Sequence, residues 1–221
     1  MPYWPTSFQV CGEIRVKYDS LGGSISFLGP PSANDVANPD NYGRRQTFWN
    51  GPIYWSPATG AHPVVNHFFA AWQRNGWEAG VLRYPTTDEI VNPDGIGRRQ
   101  EFQGGAIYWR LNEAYAIGGA IRDKWNVQGA EGGPLGYPTS DEVVLTKYNG
   151  RFNNFERGAI YWSSVTQAHS IDFDILAVYR FRGSEAGRHG YPTSDTFRPG
   201  PYPGWVDQTF EQDDISYYRP L

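Results

Sequence analysis

Apolar residues recur with helical spacing at four evenly separated places along the chain. Val10, Ile14 and Tyr18 follow one another at intervals of four residues, and this spacing puts three apolar side chains on one face of a helix. The same spacing starts again at three later positions, Val64, Ile117 and Ile171. A glycine, which is a typical helix stop, follows each pattern four residues later. The pattern predicts four short amphipathic helices.

A hairpin pattern follows each predicted helix. The tripeptide Ile-Tyr-Trp starts at Ile53, Ile107 and Ile160, and the variant Ile-Ser-Tyr starts at Ile215. Before each lies a phenylalanine and a pair containing Gly, Asn or Asp, residues that tolerate the positive φ of tight turns. The predicted turns are Asn50-Gly51, Gly104-Gly105, Arg157-Gly158 and Gln212-Asp213.

These landmarks recur together, which makes the chain a tandem array. Four equivalent prolines, Pro31, Pro85, Pro138 and Pro192, lie 54, 53 and 54 residues apart. We predict one repeat domain over residues 1–221, with repeats at 6–59, 60–112, 113–166 and 167–221 and residues 1–5 as a capping fragment. A unit this small cannot bury its own apolar face, so neighbouring units must pack together. The predicted fold is an α+β repeat protein of four ~54-residue helix-plus-β-hairpin units, arranged cyclically like a propeller.

The polar segment before each hairpin suggests a helix cap. Thr86 with Glu89, and Thr139 with Glu142, have the spacing of a capping box at the start of a short helical turn. The same Asp-Glu pairs could instead serve as the acid and base of a glycosidase.

Composition narrows the function classes. The net charge of −4 argues against nucleic-acid binding, which favours a basic surface. The single cysteine, Cys11, excludes an internal disulfide and is expected to be a small buried apolar residue. No apolar run approaches the ~20 residues of a membrane span, and no signal peptide is visible. His62 and His169 occupy equivalent positions but have no matching third ligand, so we expect no metal and no cofactor.

Several phrases resemble one known family. "LGYPTSDE", "GRFNNFERGAIYWS" and "SPATGAH" are similar to the LGFP repeat, a module found mainly in actinobacterial cell-envelope and secreted proteins. The resemblance implies a non-catalytic, extracellular or envelope-associated module that holds cell-wall enzymes on polysaccharide, arabinogalactan in particular. The sequence departs from the pattern at Arg83, which replaces the motif glycine, and in repeat four, where Val206 and Tyr217 replace the usual Arg and Trp.

Aromatic rings beside polar groups are the residues that sugar binding requires. Tyrosine and tryptophan of each Ile-Tyr-Trp strand lie on opposite faces, so one can face a groove while the other packs in the core. The candidate ligand contacts are Arg44, Trp55, Arg98, Tyr108, Trp109, Arg151, Tyr161 and Trp162. We expect the fourth groove to be weakened or specialised.

Structural roles compete with these assignments. The aromatic rings of the Ile-Tyr-Trp strands, including that of Tyr54, could simply pack in the core. The arginines could form salt bridges at the junctions between repeats. The acidic partners for such bridges are Asp88, Glu89, Asp141 and Glu142. A repeated amide, at Gln46, Gln100, Asn153 and Gln208, is expected to bond the backbone. The predicted function is a non-catalytic carbohydrate-binding module, and its predicted partners are a polysaccharide and an appended or partner cell-wall enzyme. The alternatives are a polysaccharide hydrolase and a protein-interaction scaffold.

Overall fold

The computed structural model describes residues 7–199 and 204–219. The capping fragment predicted at residues 1–5 lies outside this part of the chain. The chain divides into two compact units, Met1–Ala116 and Ile117–Leu221, which correspond closely to the first and second pairs of predicted repeats.

The four predicted helices are confirmed. They are α1 (Gly12–Ser20), α2 (Asn66–Arg74), α3 (Gly119–Val127) and α4 (Phe173–Phe181). The predicted stop glycines follow them in a left-handed conformation, with φ between 87° and 106°, and each leads into a short 3-10 helix. A glycine allows this reversal because it has no Cβ to clash with the backbone.

Antiparallel strands follow the helices. The first sheet contains β1 (Val36–Ala37), β2 (Arg44–Phe48), β3 (Gly51–Ser56) and β4 (Gly60–Pro63). The second contains β5 (Ile90–Val91), β6 (Arg98–Phe102), β7 (Gly105–Arg110) and β8 (Glu113–Gly118). The third contains β9 (Val143–Val144), β10 (Arg151–Phe155), β11 (Gly158–Ser163) and β12 (Gln167–Asp172). The last hairpin pairs β13 (Trp205–Thr209) with β14 (Asp214–Tyr218).

The predicted hairpin is thus the centre of a larger sheet in the first three repeats. In each of these sheets the strands pair in chain order. The fourth strand, for example β4, comes from the start of what we predicted as the next repeat and then leads into the next helix. The predicted repeat bounds therefore cut each sheet before its last strand.

The predicted turns lie one residue too late. Phe48 pairs with Gly51, which leaves Trp49 and Asn50 as the two-residue loop. Gly51 is instead the first residue of β3, where an added Cβ would collide with the side chain of Val65. This close packing and the φ of 144°, rather than a place in the turn, require glycine at this position. The loops of the next two hairpins are equivalent, whereas four residues separate Thr209 from Asp214 in the last one.

The predicted capping box is wrong. Residues 86–89 form neither a helix nor a strand. Pro85 forms an isolated β-bridge with Phe102, and the Thr87 hydroxyl accepts a hydrogen bond from the Glu101 N–H at 3.1 Å. Ser140 accepts the equivalent bond from Asn154 at 2.9 Å. These hydroxyl side chains therefore accept hydrogen bonds from backbone N–H groups of the neighbouring strand.

In the first unit, helix α2 packs between two sheets. On one side its Trp72 ring meets Tyr54 of β3 edge-on, with ring centroids 4.5 Å apart. On the other side Trp72 meets Phe102 of β6 at 5.6 Å. Helix α1 packs on the opposite face of the first sheet, where Tyr18 stacks on Phe48 at 4.5 Å. Both faces of this sheet are consequently covered by helices.

The second unit repeats this arrangement. Helix α4 contacts β11 and β12 of the third sheet and both strands of the last hairpin. Its Tyr179 lies 5.3 Å from Tyr161 and 4.9 Å from Phe210, measured between ring centroids. The expectation that neighbouring repeats complete each other's cores is confirmed within both units.

Candidate functional site

The candidate arginines and tryptophans are cross-strand neighbours. Arg44 pairs directly with Trp55 in the register of the first hairpin. The same pairing joins Arg98 to Trp109 and Arg151 to Trp162. Directly opposed residues of an antiparallel pair project on the same face, so each arginine lies beside its tryptophan.

In repeat one this pair lines a pocket at the start of α1, which we call the Trp55 groove. Its volume is about 330 Å³, and its lining residues are Cys11, Gly12, Glu13, Ile14, Asp35, Arg44 and Trp55. The expectation that Cys11 is buried is wrong, because it immediately precedes α1 and is exposed at the groove. A partly buried indole beside charged groups is the chemistry of a polar-ligand site.

Each candidate arginine forms a salt bridge. Arg44 lies 2.7 Å from Asp35, and Arg98 and Arg151 lie 3.1 Å and 3.0 Å from Glu89 and Glu142. The alternative that these arginines form structural salt bridges is confirmed for the predicted partners Glu89 and Glu142. These bridges lie within one repeat, however, and not at a junction between repeats. Asp35 is not among the residues predicted from the sequence, although an acidic residue nine positions before each arginine is a signal that the sequence contains.

Burial separates the tyrosines from the tryptophans. Tyr54, Tyr108 and Tyr161 are only 5%, 4% and 2% exposed. The prediction that Tyr108 and Tyr161 contact ligand is therefore wrong: they are core residues. Burial raises the pKa of Tyr54 to about 12 and also raises that of Tyr161. The tryptophans of the three strands remain partly accessible.

The groove changes from repeat to repeat. In repeat two, the His67 ring lies 6.1 Å from Trp109, and the Trp109 indole N–H has no hydrogen-bond partner among the described residues. In repeat four, buried Val206 replaces the arginine. There Arg219 forms ion pairs with Asp172 and Asp174 at the start of α4. A pocket of about 240 Å³ at this place is lined by several arginines, Arg157, Arg198 and Arg219. The fourth groove thus has different chemistry.

The repeated amide serves the fold, as predicted. The side-chain nitrogen of Gln100 donates to the carbonyls of Pro63 and Thr87, both at 2.9 Å. All four members, Gln46, Gln100, Asn153 and Gln208, are buried and donate to backbone carbonyls. They tie the hairpin to the polar segment before it.

The aspartates of the polar segment are anchors between repeats. Asp88 accepts hydrogen bonds from Lys17 of α1 and from His62, at 3.0 Å and 2.7 Å. Burial alone would raise the pKa of Asp88, but these bonds hold it below the ordinary value of 3.8. In the second unit, Asp195 has the same partners in Lys124 and His169, and its pKa is lowered in the same way.

The described residues contain no group of three or more His, Cys, Asp or Glu side chains that could hold a metal ion. Among them there is also no helix long and apolar enough to cross a membrane.

Comparison with known families finds the same family profile in three consecutive segments of the chain. Residues 28–80, 82–133 and 135–187 each match the profile described as the LGFP repeat. Each matched segment consists of one sheet and the helix that follows it. A comparison with curated proteins finds no match to this chain.

Proposed function

Because the chain belongs to the LGFP repeat family, we propose that it is a non-catalytic carbohydrate-binding module for cell-wall or other extracellular polysaccharide. LGFP repeats occur in cell-envelope proteins, so we propose an extracellular or envelope-associated location. Arabinogalactan is the model ligand, and a cell-wall enzyme is the proposed protein partner.

The Trp55 groove is the observation that carries this proposal. A sugar ring presents an apolar C–H face that can stack on the accessible part of an indole. Its hydroxyls need donors and acceptors, which Arg44 and Asp35 provide side by side at 2.7 Å. The second carboxylate oxygen of Asp35 is buried and accepts no hydrogen bond from the described residues. The acceptor that a ligand can reach is therefore the oxygen already bonded to Arg44, and this oxygen can accept a second hydrogen bond.

Repetition of this groove supports a polymeric ligand. The Arg–Trp pair recurs in three repeats, and an aromatic contact contributes only about 0.5–1.5 kcal/mol beyond its buried area. Weak sites on one chain gain avidity when a single polymer reaches several of them.

The hydrolase alternative depends on the Asp-Glu pairs. The lowered pKa values of Asp88 and Asp195, and their bonds to lysine and histidine, suit ionised anchors rather than a catalytic acid. Burial raises the pKa of Glu142, although Arg151 opposes this. Release of reducing ends from arabinogalactan, lost in Glu142→Gln, would favour the hydrolase.

The cyclic, propeller-like arrangement of the four repeats remains a prediction. Small-angle X-ray scattering of the whole chain tests it, because a ring of repeats and an extended stack differ in maximum dimension.

The single cysteine provides a direct test of the groove. Cys11 is exposed and lines the groove with Trp55, so bound polysaccharide should slow its alkylation by iodoacetamide. We expect soluble arabinogalactan to protect Cys11 in the native protein and to fail in Trp55→Ala. Trp49→Ala, which removes an exposed indole of the hairpin loop, is the matched control and should keep the protection. Binding of the polysaccharide without protection of Cys11 would place the ligand elsewhere.

A further inference from the structure

A second pocket lies between repeats one and two in the first unit. We call it the junction pocket; its volume is about 320 Å³ and its lining includes Asp40, Tyr42, Glu78, Arg83, Tyr84 and Gln103. It shares no residue with the Trp55 groove. Its volume lies within the range of small-molecule sites.

Arg83 has an unusual backbone conformation at this pocket. The equivalent residues of the other repeats are Gly29, Gly136 and Gly190, with φ of 69°, 71° and 73°. Arg83 adopts φ of 58° although it carries a side chain, and this left-handed region is disfavoured for such residues. Backbone strain of this kind is concentrated at functional sites. Nine other described non-glycine residues also have a positive φ. What singles out Arg83 is therefore the replacement of the repeat glycine by a long charged side chain at this pocket.

The corresponding place in the second unit is filled by a lysine. Lys147, the counterpart of Asp40, lies 2.7 Å from Glu211. Its ammonium also lies 5.1 Å and 5.6 Å from the ring centroids of Tyr148 and Tyr191. Asp40 instead accepts hydrogen bonds from the Tyr42 N–H of its own loop at 2.9 Å and from the Tyr84 hydroxyl of the next repeat at 2.7 Å. Because the first unit has Asp40 where the second unit has Lys147, no lysine side chain fills the junction pocket.

The lining of the junction pocket suits a sugar. The Tyr42 ring is 48% exposed and offers an apolar platform. Carboxylates of Asp40 and Glu78 can accept hydrogen bonds from hydroxyls. Arg83 can donate to them, and Gln103 keeps its amide nitrogen free to donate because its oxygen accepts from the Tyr84 N–H at 3.2 Å. Neither Glu78 nor Arg83 uses its side chain in a hydrogen bond or ion pair with another described residue.

We propose that the junction pocket is a second carbohydrate site, which binds one hydroxyl-rich sugar unit through Tyr42, Glu78 and Arg83. This proposal rests on the proposed function and adds to it a site of different composition from the Arg–Trp grooves. It also explains why a strained arginine stands where the other repeats have glycine.

Two variants borrow residues from the other repeats. Arg83→Gly installs the residue found in three repeats and relieves the backbone strain, so it should fold at least as stably as the native protein. Asp40→Lys installs the counterpart Lys147 and should fill the pocket. Trp55→Ala is the comparison variant, because Trp55 lines the Trp55 groove and not the junction pocket.

The test is titration of soluble arabinogalactan oligosaccharides into nitrogen-15 labelled protein, followed by amide shifts at Gly80 and Gln103. We expect saturable shifts there in the native protein and in Trp55→Ala. In Arg83→Gly the affinity for this pocket should fall roughly tenfold, as expected for loss of one charged hydrogen-bond donor. Asp40→Lys should abolish the shifts.

The outcomes separate the two proposals. Shifts confined to residues of the Arg–Trp grooves would overturn the junction site and leave the proposed function intact. Unaltered affinity of a folded Arg83→Gly variant would also overturn it. The absence of shifts in any part of the native protein would overturn the proposed function and this site with it.

Discussion

The indole N–H of Trp72 donates to the carbonyl of Arg83 at 3.0 Å, eleven residues further along the chain. Every repeat makes this bond from the last aromatic residue of its helix face. The equivalents are Tyr18 to Gly29 at 2.8 Å, Trp125 to Gly136 at 2.9 Å and Tyr179 to Gly190 at 2.9 Å. An indole N–H and a phenol O–H thus donate to the same backbone carbonyl, which is why either tryptophan or tyrosine can occupy this position.

Removal of one such donor should destabilise the protein without opening a cavity. Tyr18→Phe keeps the stacked ring on Phe48 and leaves the Gly29 carbonyl without its partner. We expect the free energy of unfolding to fall by about 1 kcal/mol, measured by urea denaturation. Tyr218→Phe, at an exposed tyrosine, is the control and should change nothing. Equal stability of both variants would mean that the bond is energetically neutral.

The tyrosine of the Tyr-Pro motif requires a glycine in the preceding repeat. A Cβ on Gly43 would collide with the Tyr84 hydroxyl, which also accepts a hydrogen bond from Asn38 at 2.9 Å. We expect Gly43→Ala to lower the free energy of unfolding by about 1–3 kcal/mol, as overpacking does. Gly132→Ala, where an added Cβ meets nothing within 4 Å, should be near neutral. A stable Gly43→Ala protein would show that the junction can shift.

Acid should weaken the inter-repeat anchors. The pKa values of Asp88 and Asp195 are lower in the folded chain than the ordinary 3.8, so the unfolded chain binds protons first. Their contribution is present above about pH 4 and is lost as the pH falls through the folded values. We expect the free energy of unfolding, measured from about pH 5 to about pH 2, to decline less steeply in Asp88→Asn/Asp195→Asn than in the native protein.

The matched control for this measurement removes two exposed carboxylates, in Glu113→Gln/Asp123→Asn. Its pH dependence should follow that of the native protein. Identical slopes for all three proteins would assign acid sensitivity to other groups.

Alkali should act through the buried tyrosines. Burial, reinforced by Glu78 and opposed by Arg45, raises the pKa of Tyr54 to about 12, against an ordinary value of 10.0. The folded-state value is the higher one, so this contribution is complete below about pH 10 and is lost as the pH rises from there. Tyr54→Phe should therefore lose less stability than the native protein between about pH 9 and 11 in thermal unfolding. A parallel decline in the two proteins would exclude Tyr54 as a cause.

The helices and hairpins were predictable because their spacing reflects which faces are buried. Which of the two rings is buried could not be predicted in this way. Alternation along the strand puts Tyr54 and Trp55 on opposite faces, but only the packing shows that α2 covers the tyrosine. The Thr86–Glu89 spacing misled because a hydroxyl before a strand edge can produce the same pattern as a helix cap. The expectation that Cys11 is buried is wrong because the residue type alone does not show that it lies directly before a helix, at an exposed position.

The face that carries Tyr54 and Tyr161 gives the array a direction. Each of these tyrosines packs against an aromatic residue of the helix that follows its sheet, Tyr54 against Trp72 and Tyr161 against Tyr179. In the last hairpin the same position is Ser216, which is exposed and offers no ring to meet a helix. The fourth hairpin therefore lacks the aromatic ring on which the helices pack in the earlier repeats, so its departures from the repeat pattern affect packing as well as the candidate groove.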